Sequence, residues 1–123
     1  MKLVLATALL AVLSTVPAFA DCTYPRAPDK IPDGNSAALE EMVAVKKAVE
    51  QYNKDMEAYL SCIKLEHDDT LAKQGEAMTP EKKKQFEDMQ TQKNNAAVTE
   101  LQSVADRFNE QVRNYKAKHP SKK

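Results

Sequence analysis

Residues 42–63 read MVAVKKAVEQYNKDMEAYLSCI, and within them Met42, Val45, Val49, Tyr52, Met56, Tyr59 and Ile63 recur at spacings of 3, 4, 3, 4, 3 and 4. An α-helix turns once in about 3.6 residues, so this spacing lines the apolar side chains along one narrow stripe. Such a stripe serves a single partner helix, and its seven-residue repeat favours left-handed supercoiling. The period-two alternation of a half-buried strand is missing from the stretch.

Working outward, the helix is predicted to begin at Ser36, as N-cap, and to run to Gln74. Gly75 follows, and a glycine at that place is expected to end a helix in the left-handed conformation. Thr79-Pro80-Glu81 then reads as N-cap, first-turn proline and an acid suited to the positive end of the helix dipole. The second helix is predicted over 80–118, ending before Pro120. Two helices of nearly equal length joined by a short loop fold back as an antiparallel, coiled-coil-like hairpin. The fold class is therefore all-α.

The second helix offers Leu101, Val104, Phe108 and Val112 to the seam, with Phe86, Met89 and Ala97 along the same line and Val98 and Ala105 widening it. The step of four from Phe108 to Val112 breaks the heptad, so the packing is expected to be nearer a bundle than an ideal coiled coil. Folding back at the Gly75–Thr79 loop sets Val49 opposite Val104 or Ala105, Tyr52 opposite Leu101, and Met56 opposite Ala97 or Val98. The same register brings Asp68 and Asp69 near Lys83 and Lys84 across the hairpin, where exposed pairs are worth less than about 1 kcal/mol each. Between Lys64 and Asn95 apolar residues are few, so the tip is expected to be the looser end.

Composition agrees with a helical chain. Of the 103 residues from position 21 onward, 44 are Ala, Glu, Lys, Leu or Arg, close to the ~50% that marks long helices. The whole chain has 123 residues, with 18 Lys+Arg against 18 Asp+Glu. A balance this even argues against a nucleic-acid binder held by bulk electrostatics.

The first 20 residues form a separate unit. Met1-Lys2, the apolar run Leu3 to Val16, Pro17 and Ala18-Phe19-Ala20 have the charged start, short apolar stretch and small-x-small end of a secretory signal peptide. The apolar run falls short of the ~20 residues a membrane-spanning helix needs. Cleavage is expected after Ala20, with the product periplasmic or secreted.

Cys22 and Cys62 are the two cysteines. An even count in an exported chain reads as a disulfide, intramolecular in the simplest case. The 26 residues from Ser36 to Cys62 make about 39 Å of helix, and the 14 from Ser36 back to Cys22 reach about 43 Å when extended. The bridge closes if segment 21–35 runs back nearly straight along the first helix, and Pro25, Pro28 and Pro32 favour that extended form. Tyr24 and Ile31 would then cover the groove between the helices, with the reversal made by Pro32-Asp33-Gly34-Asn35. A bridge between two chains and a redox pair are the alternatives, the latter lacking the Cys-x-x-Cys spacing that lowers a thiol pKa.

Catalytic constellations are not legible. His67 with Glu66 and Asp69 reads as a solvated helix face, since neighbouring positions on a helix point apart. Met42, Met56, Met89, Tyr52 and Tyr59 read as soft core in place of a cofactor box. No cofactor or metal is expected. Lys116, Lys118, Lys122 and Lys123 suit the negative end of the second helix, and an anionic membrane or cell-wall surface is a weaker use for them.

The pieces Cys22-Thr-Tyr-Pro-Arg-Ala-Pro, Ile31-Pro-Asp-Gly and Met56-Glu-Ala-Tyr-Leu-Ser-Cys62 resemble a group of small exported proteobacterial proteins with a Pro-rich Cys arm, an Ile-Pro-Asp-Gly turn and a Tyr-Leu-x-Cys helix end. The resemblance covers residues 22 to about 63 and implies the paired cysteines and export, with no activity attached. The expectation is a non-enzymatic envelope protein that acts through protein contacts or structural assembly, its partner another protein or a second copy. A holdase-like periplasmic chaperone is the alternative.

Overall fold

The computed structural model describes residues 21–121; the predicted export segment 1–20 and the last two lysines of the basic tail lie outside them. An extended arm leads into helix α1 (Leu39–Gln74), a 3-10 turn (Gly75–Ala77) and helix α2 (Pro80–Lys118). The two helices are in contact as a hairpin, and Cys22 of the arm is bonded to Cys62 of α1.

The start of α1 differs from the sequence expectation. Ser36 is not the N-cap, because Asp33 organises a turn of its own first. The Asp33 carbonyl accepts from the amides of Ser36 (3.1 Å) and Ala37 (2.8 Å), and its carboxylate accepts from the Asn35 amide (2.9 Å). These short-range bonds hold 33–37 out of the helix. Ala38 takes the N-cap position, and Glu41 Oε2 accepts from its backbone N–H at 2.8 Å, the returning half of a capping box. At α2 the Thr79 hydroxyl oxygen accepts from the Lys82 amide (3.2 Å), with Pro80 in the first turn.

Gly75 is also unlike the expectation. Its φ and ψ of −59° and −37° are right-handed helical, so no left-handed cap ends α1. The helix tightens into the 3-10 turn instead, with the Gly75 amide bonded to the Leu71 carbonyl, and the chain turns out at Met78 with φ −78° and ψ 137°.

Gly34 has the requirement that Gly75 lacks. It is buried, its amide donates to Gln111 Oε1 at 2.9 Å, and a Cβ there would stand 2.0 Å from the Gln111 carbonyl oxygen. The turn before α1 therefore rests on the backbone of α2 near its end. Burial concentrates in that half of the hairpin: from 64 to 96 no described residue is buried.

The two glycines are predicted to respond oppositely to alanine. At Gly75 the added methyl would meet only the Leu71 side chain at 3.9 Å, so Gly75→Ala should gain about 0.4–1 kcal/mol by narrowing the unfolded ensemble. Gly34→Ala should lose about 1–3 kcal/mol by overpacking against backbone. Urea unfolding of the oxidised protein measures both, and a neutral Gly34→Ala would contradict the close approach to α2.

Candidate functional site

The arm, the seam it lies on and the grooves beside it are where the sequence concentrates its unusual features. Cys22 and Cys62 are 40 positions apart in the chain, with Cα atoms 5.7 Å apart. Of the three readings of the cysteines, the intramolecular bridge is the one present. Between Asp21 and Pro32 the arm has no helix or strand, and it runs back along α1 with Cys22, Ala27 and Ile31 against the core. The Tyr24 ring meets Tyr59 edge-on at 4.9 Å, and its hydroxyl donates to Glu100 Oε2 at 2.6 Å. One side chain thus touches both helices.

Met42, Val45, Val49, Tyr52, Met56, Tyr59 and Ile63 are all buried on α1. On α2, Ala97 and Val104 are buried, Leu101 and Phe108 are half-buried against the same cluster, and Val112 is half-buried. The asymmetry has a steric basis. The large Tyr52 and Met56 fill the space between the helices, and small α2 residues, above all Ala97 at 0% exposure, let the axes approach.

Buried polar atoms mark the edges of this core. The Tyr52 hydroxyl, Asn53 Oδ1 and His67 Nε2 have no hydrogen-bond partner. Burial raises the pKa of Tyr52, and Glu100 adds to it. Tyr24 is raised further, by burial first and then by its bond to the Glu100 carboxylate. Both phenols are held neutral in the fold.

The tip corrects two sequence expectations. His67 is not on a solvated face: its ring stacks on Phe86 at 4.8 Å with planes 4° apart, and its side chain is 15% exposed. That stack sets position 67 opposite position 86 across the hairpin. The charges do not pair across the hairpin as expected. Asp68 bonds Lys64, Asp69 bonds Lys73 at 2.8 Å, and Lys84 bonds Asp88 at 2.7 Å, all four residues apart within one helix. On a helix surface that spacing brings side chains together at no cost in chain ordering, whereas a cross-hairpin pair must span the interhelical distance. Among the described residues no cluster of three or more His, Cys, Asp or Glu is placed to hold a metal ion.

Several contributors escape sequence reading. Glu100 as the acceptor for Tyr24, Gln111 as the seat of Gly34, and the His67 and Phe86 pair depend on the meeting of distant segments. Only Glu100 carried a signal, an acid directly beside the seam residue Leu101.

Grooves flank the seam. One of about 460 Å³ lies beside the disulfide, lined by Cys22, Ala58, Cys62 and Leu65. Another of about 460 Å³ lies between the helices, away from the arm, where Leu60 and Lys64 face Gln90, Thr91 and Asn94. At the tip, Met78, Phe86 and Met89 line a third of about 420 Å³. No helix among the described residues is long and apolar enough to cross a membrane. These features define a helical hairpin strapped by a disulfide-bonded arm. No family model, curated protein or solved structure matches the chain.

Opening the staple should be costly. For a closed loop of 40 residues the chain-entropy model gives about 3–4 kcal/mol, so Cys62→Ser should lower stability by that order in urea unfolding and release the Tyr24 ring, seen as lost near-ultraviolet dichroism. The phenols predict an alkaline limit. A group whose folded pKa is raised stabilises fully below its unfolded value, near 10 for tyrosine, and this contribution fades as pH climbs through the folded value. Stability should fall above about pH 10, and Tyr24→Phe should flatten that fall; an unchanged alkaline profile would contradict the Glu100 contact.

Proposed function

We propose that the protein is a non-enzymatic component of the bacterial envelope, exported to the periplasm or beyond, which acts by holding protein surfaces on a rigid helical hairpin. The observation that carries this reading is the set of large apolar side chains left open along the hairpin. Leu39 and Val43 are 57% and 43% exposed at one end, and Leu65 and Met89 are 70% and 48% exposed toward the other. Single exposed apolar residues are ordinary on a protein surface, but here Leu65 and Met89 line grooves of the hairpin.

The staple supports the assignment to an oxidising compartment, where such a bond persists. The resemblance of residues 22 to about 63 to small exported proteobacterial proteins points the same way.

The holdase-like alternative is favoured by one feature, the tip groove with Met78, Phe86 and Met89. Methionine side chains adapt to many apolar shapes, and the tip has no buried residue to stiffen it.

In-cell crosslinking from a photoreactive residue at Leu39 or Leu65, followed by mass spectrometry, tests the main reading. Discrete protein adducts, the chain's own included, are expected at one or both positions and none at the exposed Lys47. Adducts at neither would remove the interaction role, and suppression of the aggregation of an unfolded client, lost in Met89→Glu, would shift the assignment to the holdase.

A further inference from the structure

Apart from its covalent bond, the arm is held to the hairpin by few contacts. Between Asp21 and Pro32 it has no helix or strand, and among the described residues one hydrogen bond joins this stretch to the helices, from the Tyr24 hydroxyl to Glu100. Its apolar members Cys22, Ala27 and Ile31 are half-buried at the rim of the core, whereas Met56, Ala97 and Val104 on the helices are at 0% exposure. The helices therefore have a core of their own beneath the arm. Two grooves meet at the bridge, the one of about 460 Å³ that Leu65 lines and another of about 380 Å³ bordered by Pro25, Asp55 and Tyr59. Cys22 and Cys62 are half-buried and line both, so an attacking thiolate has a route to the bond.

Glu100 supplies a second arrangement for the hairpin once the arm is gone. Tyr52 is 2% exposed and its hydroxyl has no hydrogen-bond partner. The stack of His67 on Phe86 sets the antiparallel register, and counting along it places Tyr52 opposite Leu101, beside Glu100. Burial first and then Glu100 raise the pKa of both Tyr24 and Tyr52, so one carboxylate lies within electrostatic range of two hydroxyls. With the arm in place Glu100 accepts from Tyr24, and Tyr52 is left unpaired. With the arm away, a buried donor and a free acceptor stand on facing helices, and leaving them apart is costly.

We propose that the arm is a redox-controlled strap: reduction of the Cys22–Cys62 bond by a dithiol frees segment 21–32 while the two helices stay paired, and Glu100 passes from the Tyr24 hydroxyl to that of Tyr52. In the chemical step a thiolate of the dithiol attacks one sulfur, the bond between the cysteines breaks, and the second thiol of the reagent closes on the mixed disulfide. The dithiol leaves as a disulfide, and its two electrons and two protons end on Cys22 and Cys62 as thiols. The freed arm regains backbone freedom with only rim contacts and one exposed hydrogen bond against it. Its departure bares the part of the seam that Ala27 and Ile31 cover. The charge and packing change at the switch is thus local, and the element with two states is the pairing of Glu100. The proposal goes beyond the interaction role and stands whether or not the hairpin holds a partner.

Nuclear magnetic resonance of the oxidised protein, followed as dithiothreitol is added at neutral pH, tests this. The cysteine Cβ shifts should report complete reduction without denaturant. Cross-peaks between the Tyr24 and Tyr59 rings should vanish, while those between Met56 and Ala97 persist and far-ultraviolet dichroism keeps its helical amplitude. Tyr52→Phe separates the exchange of Glu100 from simple release. In the oxidised protein it removes an unpaired hydroxyl and should leave the folding constant unchanged or raised; in the reduced protein it should lower that constant about tenfold. A bridge that dithiothreitol cannot open in the folded protein, a Tyr24 ring that stays on Tyr59 after reduction, or loss of the helices together with the arm overturns the strap. A Tyr52→Phe change that is neutral in both forms overturns the exchange of Glu100.

Discussion

The covalent bond between Cys22 and Cys62 converts a proline-rich arm into the third element of the core. A pair of helices meets along one line and leaves a groove on either side of it, so each helix buries only a narrow stripe. The arm lies in one of those grooves, placing Ala27 and Ile31 on the seam and Tyr24 across both helices. An extended segment without regular hydrogen bonds has little reason to stay there on its own. The disulfide at one end and the buried Gly34 turn at the other hold it taut, and its three prolines limit what it gains by leaving.

Covering one groove makes the two sides of the hairpin unequal. The strapped side has the arm's aromatic and hydrogen-bonded contacts, and between 90 and 112 the charged residues of α2 lie toward it and the back. The other side keeps half-buried apolar residues, amides and an unpaired acceptor at Asn53. The arm therefore stabilises the hairpin and also decides which of its two grooves stays open.

Stability is graded along the rod as well as around it. The buried cluster runs from Val45 to Ile63 on α1 and from Ala97 to Val104 on α2, and the staple closes at Cys62, near the end of that run. Beyond it the helices are held by intrahelical ion pairs and the His67 and Phe86 stack. Exposed pairs of that kind contribute little, so the tip opens more readily than the strapped half.

The sequence by itself determined the class of fold. The 3-4 spacing from Met42 to Ile63, the Thr79-Pro80 start and the paired cysteines with a proline-rich spacer are local or arithmetic signals, set by helical periodicity, capping chemistry and chain reach. Where local signals competed, reading failed: Ser36 lost the helix start to the Asp33 turn, and Gly75 stayed right-handed as the first residue of a 3-10 turn. Only the tertiary structure decided that Glu100 receives Tyr24, that Gly34 sits on the α2 backbone, that His67 stacks on Phe86 and that Asn53 is left unpaired. Each joins or isolates groups through the meeting of segments far apart in the chain, and composition and periodicity carry no term for which side of a helix a distant arm will cover.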